Sequence, residues 1–282
     1  MKHLFLLTCL GVLALPPVLS AQQPAFPPYS LFNTQIRFVH SQHVGRVFKL
    51  FINLPRHYQD EPERQYPALY LLDPGAHFGM TTDMQRLFED GQGIEPVLTV
   101  GIGYESIVID TLIKYRTTDM LPSPDRDGHG GGAPQFLAFI EDELIPFIEA
   151  EYRVNPKIRG ICGASYGGMF GAYALVKAPE LFNRYILISP TLGFGEGAFF
   201  AYEAEMAQGR TDLPARIYFA AGADEDRGWM LDPLAKFVQQ LRDRKYPSAA
   251  IELDIVAGEN HSTVGPIGID RGLNRMFALR GQ

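Results

Sequence analysis

The sequence predicts an α/β fold in which a mostly parallel central sheet carries helices on both faces. Short apolar runs without polar alternation, such as Pro67–Leu72, are typical of strands that are buried on both faces. These runs alternate along the chain with segments of helical periodicity, and that alternation is typical of a parallel sheet. Two segments rich in β-branched and aromatic residues come first and add an antiparallel hairpin.

The elements follow from local patterns taken in chain order. The hairpin strands are Gln35–His40 and Arg46–Leu54, with Gly45 between them. The later strands are predicted at the apolar runs Pro67–Leu72, Pro96–Ile102, the run that starts at Ile158, Tyr185–Ser189, Arg216–Ala221 and Ile251–Val256. The helices are predicted where apolar residues recur at helical spacing, in Gly79–Glu89, Ala133–Tyr152, Met169–Lys177, Asp232–Arg244 and Gly265–Leu279.

Composition limits the classes of partner. The 282 residues carry a formal charge of -7, with 46% hydrophobic and 20% charged residues, as is ordinary for a globular protein. An acidic chain without a basic cluster is a poor candidate for binding nucleic acid or an anionic membrane. Nucleic acid and anionic membrane are therefore set aside as partners, and the small-molecule ester substrate that we expect follows from the site residues below.

Residues 1–21 resemble a secretory signal peptide. Lys2 and His3 precede an apolar stretch, Leu4–Leu15, and Val18–Ala21 supplies small residues for cleavage after Ser20 or Ala21. About 12 apolar residues is too few to span a bilayer, which needs roughly 20. We expect a periplasmic or secreted protein whose residues 22–282 form a single domain without a membrane span.

The segment with most chemical information reads Gly163-Ala164-Ser165-Tyr166-Gly167, between a predicted strand and a predicted helix. A serine at such a G-x-S-x-G turn is held on a tight elbow with its hydroxyl above the sheet. The glycines are required because a Cβ there would collide with neighbouring backbone. Ser165 is therefore the predicted nucleophile.

A serine nucleophile needs a base and an acid, which follow it in chain order at the ends of later strands. His261 follows the last predicted strand, and no other histidine comes after Ser165. The acid is expected in the loop after Arg216–Ala221, which contains three consecutive carboxylates. We favour Glu225, then Asp224, then Asp226; an acid elsewhere, or a Ser–His dyad, remains an alternative.

The oxyanion of the tetrahedral intermediate needs two N–H donors. One is expected from the residue after the nucleophile, Tyr166. The second is expected from the loop after Pro67–Leu72, where Pro74 has no N–H, so Gly75 is favoured and Ala76 is the alternative. His77, in the same loop, is a candidate for contact with the substrate.

No spacing in the sequence implies a metal or an organic cofactor. His40 and His43 lie at the hairpin without a carboxylate or cysteine in register. Cys162 lies within a buried strand and is interpreted as a small hydrophobic residue. The glycine-rich run Gly128–Gly132 follows no strand and precedes no Lys-Ser/Thr pair, so we interpret it as a loop and not as a phosphate site.

Several stretches resemble the family of α/β-hydrolases known as putative esterases, or esterase D-like proteins. They are YPALYLLDPGAHFGM at 66–80, VGIGY at 100–104, RTTDMLPSP at 116–124, GGGAPQFLAFIEDELIPFIEAEYRV at 130–154, GASYGG at 163–168 and GENHS at 258–262. The likeness implies the α/β-hydrolase fold, with Ser165 as nucleophile, His261 as base and an acid within residues 224–226. The segments at 116–124 and 130–154 look most like the trilactone siderophore hydrolases of enterobactin type.

The resemblance also places Arg116 near the site, where its guanidinium would bind an anionic or catecholate substrate. The alternative is an internal pair with Asp119 that fixes the loop. The sequence departs from the family where Pro74 replaces a common glycine. It departs again where Gly193-Phe194 replaces common tryptophans. Phe194 is a further candidate for substrate contact.

One long irregular segment, Thr191–Thr211, has two interpretations. Its aromatic residues are Phe194, Phe199, Phe200 and Tyr202. They either pack on the core beneath a surface excursion or form a lid beside Ser165.

Together these features predict a serine carboxylic-ester hydrolase that forms an acyl-enzyme, acting on an iron-siderophore trilactone or another bulky ester. The alternatives are an acyltransferase of the same fold, a short-chain or feruloyl-type esterase, and a binding protein with an inactive site.

Overall fold

A computed structural model describes residues 29–91 and 93–279. The predicted signal peptide lies outside these residues. From Leu31 onward the described chain forms one compact unit. No helix in the described part of the chain is long and apolar enough to cross a membrane.

The described residues form one eight-stranded sheet. Its strands are β1 (Thr34–Ser41), β2 (Arg46–Asn53), β3 (Tyr66–Leu72), β4 (Leu98–Tyr104), β5 (Val154–Ala164), β6 (Arg184–Ile188), β7 (Arg216–Gly222) and β8 (Ala250–Val256). Their order across the sheet is β1-β2-β4-β3-β5-β6-β7-β8. The β1–β2 and β2–β4 pairs are antiparallel and all other pairs are parallel. The prediction of a mostly parallel sheet with an N-terminal hairpin is confirmed.

The eight α-helices of the described residues pack on both faces of the sheet, as predicted. They are α1 (Pro74–Asp90), α2 (Ile109–Met120), α3 (Ala133–Phe139), α4 (Ile145–Glu151), α5 (Tyr166–Lys177), α6 (Ala198–Met206), α7 (Asp232–Asp243) and α8 (Val264–Phe277). One apolar cluster includes Phe136, Phe170 and Phe237 of α3, α5 and α7. The other includes Phe78 and Leu273 of α1 and α8 on the opposite face.

The long helix predicted at Ala133–Tyr152 is interrupted by a π-helical turn, Ile140–Leu144, between α3 and α4. Pro146 is the second residue of α4, and a proline inside a helix removes one backbone hydrogen bond and collides with the preceding turn. A wider turn just before the proline relieves both effects. The same arrangement recurs at Arg227–Leu231, which precedes Pro233 of α7.

Two helices, α2 and α6, escape prediction from periodicity. The buried residues of α2 are Asp119 and Met120, whereas Ile109 and Ile113 are exposed, which inverts the usual pattern. Helix α6 lies within Thr191–Thr211 and buries Phe199. Phe194, Phe200 and Tyr202 of that segment also pack against the core, so its aromatic residues follow the surface-excursion interpretation.

Two glycines in helix interiors are expected to respond oppositely to alanine. A Cβ on Gly79 of α1 would have only Leu31 Cδ1 nearby, at 3.8 Å, so Gly79→Ala is expected to stabilise the protein by up to about 1 kcal/mol. A Cβ on Gly171 of α5 would lie 2.3 Å from Leu187 Cδ2, so Gly171→Ala is expected to destabilise by about 1–3 kcal/mol. Thermal denaturation of both variants measures the effects; shifts of the same sign would contradict this account.

Candidate active site

Ser165 occupies the turn between β5 and α5. Its backbone has φ 57° and ψ -119°, a conformation that L-residues rarely adopt. Such a conformation persists only where the surrounding structure imposes it. The turn is tight enough that a Cβ on Gly163 would lie 2.4 Å from the carbonyl carbon of Gly167. Glycine at that position is therefore a steric requirement, and the half-buried Ser165 side chain is presented at the carboxyl edge of the sheet.

The structure brings three of the predicted site residues into one hydrogen-bonded chain. The Ser165 Oγ lies 3.0 Å from Nε2 of His261. The Nδ1 of the same imidazole lies 2.9 Å from Oε2 of Glu225. This is the arrangement in which an imidazole removes a proton from a hydroxyl while a carboxylate orients the ring.

The other carboxylate oxygen of Glu225 is fixed by two hydrogen bonds on the side away from His261. Its Oε1 accepts hydrogen bonds from the Ser189 hydroxyl at 2.5 Å and from the Gly222 N–H at 2.7 Å. Burial by itself raises the pKa of this carboxyl, but the hydrogen bonds from His261, Ser189 and Gly222 outweigh it, so the pKa of Glu225 lies below its ordinary value. The acid beside the imidazole is therefore held as a carboxylate.

The neighbouring carboxylates of the same loop point elsewhere. Asp224 and Asp226 are exposed, whereas Glu225 is only 7% exposed. The side chain of Asp226 accepts the N–H of Trp229 at 2.6 Å and so caps the π-helical turn that follows. Of the three acids that the sequence left open, the structure turns Glu225 alone toward His261.

Ser189 is a site residue that the sequence analysis missed. It follows β6, is buried, and has a φ of 42°, which aims its hydroxyl at Glu225 across the edge of the sheet. One signal was available, because a polar residue at the end of a buried strand lies at the same edge as the nucleophile. Its partner could not be read from local sequence.

The N–H groups of Tyr166 and Gly75 both lie at the start of a helix. Tyr166 is the first residue of α5, and Gly75 is the second residue of α1. The N–H of Ala76, the alternative donor, already bonds to the carbonyl of Asp73 at 3.0 Å. Helix N-terminal amides have no partner within the helix and favour negative charge, so each of these two N–H groups is suited to bind an oxyanion.

Arg116 ties the elbow to the loop before α1. Its Nε and Nη2 donate to the two carboxylate oxygens of Asp73 at 2.7 and 2.9 Å, and Nη2 also donates to the carbonyl of Ala164 at 3.2 Å. The guanidinium lies over the Tyr166 ring, 5.2 Å from its centroid. These contacts use the planar face and the forked N–H groups that distinguish arginine from lysine.

The alternative of an Arg116–Asp119 pair is wrong. Asp119 is buried and instead accepts a hydrogen bond from Arg46 of β2 at 2.9 Å. The two residues point to different sides of α2, one toward the hairpin and one toward the elbow.

A pocket of about 600 Å³ opens at Ser165 and His261. Arg116 and His77 lie on its wall, but Phe194 does not; it packs against the core instead. Burial lowers the pKa of His77, with Asp73 opposing and Arg116 reinforcing that effect. The apolar part of the pocket is lined by Phe51, Pro74, Ile102, Leu112, Ile113, Ile188 and Pro266.

Within the described ranges, one group of potential metal ligands occurs, and it lies away from this pocket. Asp125, Asp127 and His129 have ligand atoms within 4.8 Å of one another, in the glycine-rich loop. The Asp125 Oδ1 accepts the N–H of Asp127 at 3.0 Å and that of His129 at 2.8 Å. Asp125 therefore closes a turn with its side chain, and this turn explains why the three side chains lie close together.

Replacing Arg116 by methionine is expected to lower kcat about 10- to 100-fold with little change in KM. The reason is that Arg116 holds Asp73 and Ala164 in register, and a small misplacement of oxyanion donors and nucleophile costs rate in this range. Arg46→Met is the matched control, since it breaks the other ion pair of α2 outside the pocket. We expect that variant to lose stability but to keep kcat within about threefold of wild type.

Steady-state kinetics at saturating substrate, with melting temperatures measured beside them, separate the two variants. A rise in KM with unchanged kcat in Arg116→Met would instead support the substrate-binding role expected from the sequence.

The chain is similar to proteins of one esterase family, both in sequence and in structure. Residues 41–265 match the family model Esterase, described as putative esterase. The ferri-bacillibactin esterase BesA of Bacillus subtilis is 29% identical over 267 residues, which are 89% of this chain and 91% of that protein. The BES protein of Bacillus cereus superposes with a TM-score of 0.81 at 22% identity, over 90% of this chain and 99% of that one. The siderophore hydrolase EstB of Aspergillus nidulans gives a TM-score of 0.78 at 21% identity, over 91% and 99%.

Proposed function

Because the chain belongs to the Esterase family and is a serine carboxylic-ester hydrolase of the α/β-hydrolase fold, we propose that Ser165, His261 and Glu225 are its catalytic triad and that its substrate is a bulky ester of the siderophore-trilactone class. The observation that carries the proposal is the unbroken chain of hydrogen bonds from Ser165 Oγ through His261 to Glu225, beside a pocket of about 600 Å³ that Ser165 and His261 line.

In the proposed mechanism, Nε2 of His261 takes the proton of the Ser165 hydroxyl as Oγ attacks the ester carbonyl. The carbonyl oxygen becomes an oxyanion and receives hydrogen bonds from the Tyr166 and Gly75 N–H groups. The imidazolium, stabilised by Glu225, then gives its proton to the leaving alkoxide. Water attacks the acyl-enzyme by the same route, with His261 as base, and the acid is released.

The substrate class is supported by size and by the relatives. A pocket of about 600 Å³ lies within the range that holds drug-sized ligands, and is larger than a short acyl group requires. The Bacillus subtilis relative is named for its action on ferri-bacillibactin, and relatives from Emericella nidulans and Escherichia coli are named as siderophore enterobactin and apo-salmochelin esterases. These names lead us to the trilactone class for this chain.

We further propose that the protein is exported and acts in the periplasm or outside the cell. Lys2, His3 and the apolar stretch Leu4–Leu15 support this proposal, since they have the order of a secretory signal. N-terminal sequencing of the protein from cell fractions tests it. A start after Ser20 or Ala21 in the exported fraction is expected, and an intact Met1 in the cytoplasm would contradict export.

An ester panel with product mass spectrometry tests the substrate class. We expect the enzyme to open a ferric or iron-free siderophore trilactone with higher kcat/KM than p-nitrophenyl acetate or a short acyl thioester. Exclusive turnover of short acyl thioesters would exclude the trilactone class. Acylated acceptor in excess of free acid would indicate acyl transfer in place of hydrolysis.

A further inference from the structure

Lys49 lines the active-site pocket at a distance from Ser165. Lys49 pairs with Gly103 of β4. The β4–β3 and β3–β5 pairs end at Ile102–Leu72 and Leu71–Cys162, and the same registers extended by one or two residues put Lys49 level with Ala164, the residue before the nucleophile. Three inter-strand steps separate the two backbone positions, which is about 14 Å. A substrate lying across the carboxyl edges of these strands would therefore have its reacting carbonyl at Ser165 and a remote end at Lys49.

The strand pairing gives Lys49 room to face the pocket. It pairs with Gly103 of β4, which has no side chain to cover it. A Cβ on Gly103 would lie 3.0 Å from both Phe51 Cε2 and Pro74 Cγ, so the rings of Phe51 and Pro74 both pack closely over the backbone of this glycine. The Lys49 ammonium lies over the Phe51 ring, 5.2 Å from its centroid, which is within the range of a cation–π contact.

The charges of the pocket wall leave Lys49 unbalanced. Asp73 and Arg116 also line the pocket, and they neutralise each other through two hydrogen bonds. Among the residues that the structure describes, no carboxylate lies within ion-pair distance of the Lys49 ammonium. A positive charge that is half-buried and unpaired on a pocket wall attracts an anionic group of a ligand.

The wall between the two ends is mainly apolar. Phe51, Pro74, Leu112 and Ile113 line it. Such a wall fits an aromatic or aliphatic body and offers little to a string of hydroxyl groups.

From these contacts we propose that Lys49 binds an anionic oxygen group of the substrate, at the end of an apolar or aromatic body whose ester carbonyl lies at Ser165. The proposal rests on the proposed esterase function, because it concerns the same pocket. It makes Lys49 a residue that selects substrates by charge, and it assigns Lys49 no part in the chemical step.

The test compares two p-nitrophenyl esters of one straight-chain dicarboxylic acid, the free monoacid and its methyl ester, over a series of chain lengths. At the length that reaches Lys49, Lys49→Met is expected to raise KM for the monoacid about 10-fold, with kcat unchanged. KM for the methyl ester is expected to stay within about twofold. Lys49→Arg keeps the charge and is expected to keep the low KM, and the effect in wild type is expected to weaken as salt is added.

Lys157→Met is the matched control, since it removes an equal charge from an exposed site outside the pocket. It is expected to leave KM of both esters unchanged. Equal changes for monoacid and methyl ester in Lys49→Met, or an equal effect of Lys157→Met, would overturn the proposal while esterase activity stands. Failure of wild type to cleave any ester in the series would instead count against the proposed function.

A second arm identifies the source of the anion. KM of Lys49→Met is measured for a ferric catecholate trilactone, which is anionic, and for its uncharged iron-free form. A rise in KM restricted to the ferric form extends the anion-binding role to metal-bound catecholate. A rise for the monoacid alone restricts the role to carboxylates.

Discussion

Replacement of Ser165 by alanine is expected to lower kcat toward p-nitrophenyl esters by about 10⁵-fold or more. The hydroxyl whose Oγ lies 3.0 Å from Nε2 of His261 is the atom that forms the acyl-enzyme in the proposed mechanism. Without this hydroxyl, His261 has no nucleophile to deprotonate and the oxyanion donors have no tetrahedral intermediate to stabilise. Loss of the serine therefore lowers kcat about as much as loss of the whole triad. Burst and steady-state kinetics measure the loss.

A covalent probe provides the second measurement of the same prediction. A fluorophosphonate is expected to label wild type at Ser165 and to leave Ser165→Ala unlabelled, as seen by peptide mass spectrometry. The variant is expected to melt close to wild type, because the side chain is half-buried and its removal opens no apolar cavity. Wild-type turnover by Ser165→Ala would end the triad proposal.

Replacement of Glu225 by glutamine is the second largest expected effect, a fall in kcat of about 10³- to 10⁴-fold. The amide keeps the size of the side chain, but its NH₂ group would face Nδ1 of His261. Because NH₂ only donates, an N–H at Nδ1 would have no hydrogen-bond acceptor. The imidazole would then carry its hydrogen on Nε2 and present it to Ser165 as a donor. It would no longer act as a base, and no carboxylate would stabilise the imidazolium.

The neighbouring acids serve as matched controls for Glu225. Asp224→Asn and Asp226→Asn each remove one negative charge from the same loop, and both side chains are exposed. We expect kcat within about threefold of wild type for each, with a small loss of stability for Asp226→Asn through its cap on Trp229. A loss in either control as large as that in Glu225→Gln would move the acid to another residue.

Local patterns in the sequence were sufficient for most of the sheet. A strand buried on both faces, such as β3, is apolar along its length. It can therefore be predicted from its own residues, without knowing which strands lie beside it. The elbow is as local, since the tight turn at Ser165 demands glycine at Gly163 whatever packs around it. The order of strands in an α/β sheet then restricted His261 and the acid loop to the same edge.

The patterns were misleading in two helical segments, for different reasons. Helix α2 exposes Ile109 and Ile113 and buries Asp119, so the usual rule of apolar burial predicts no helix there. The long helix before β5 was predicted as uniform because periodicity does not register the π-turn that Pro146 requires.

What the sequence by itself determined was therefore the set of elements and the chemical class of the site, because both depend on residues close together in the chain. Only the tertiary structure decided which of three adjacent carboxylates faces His261, since that choice depends on Ser189, 36 residues from Glu225. It also decided that Arg116 pairs with Asp73, 43 residues away. Hydrogen bonds between distant residues follow from how strands and helices pack, and no local pattern encodes them.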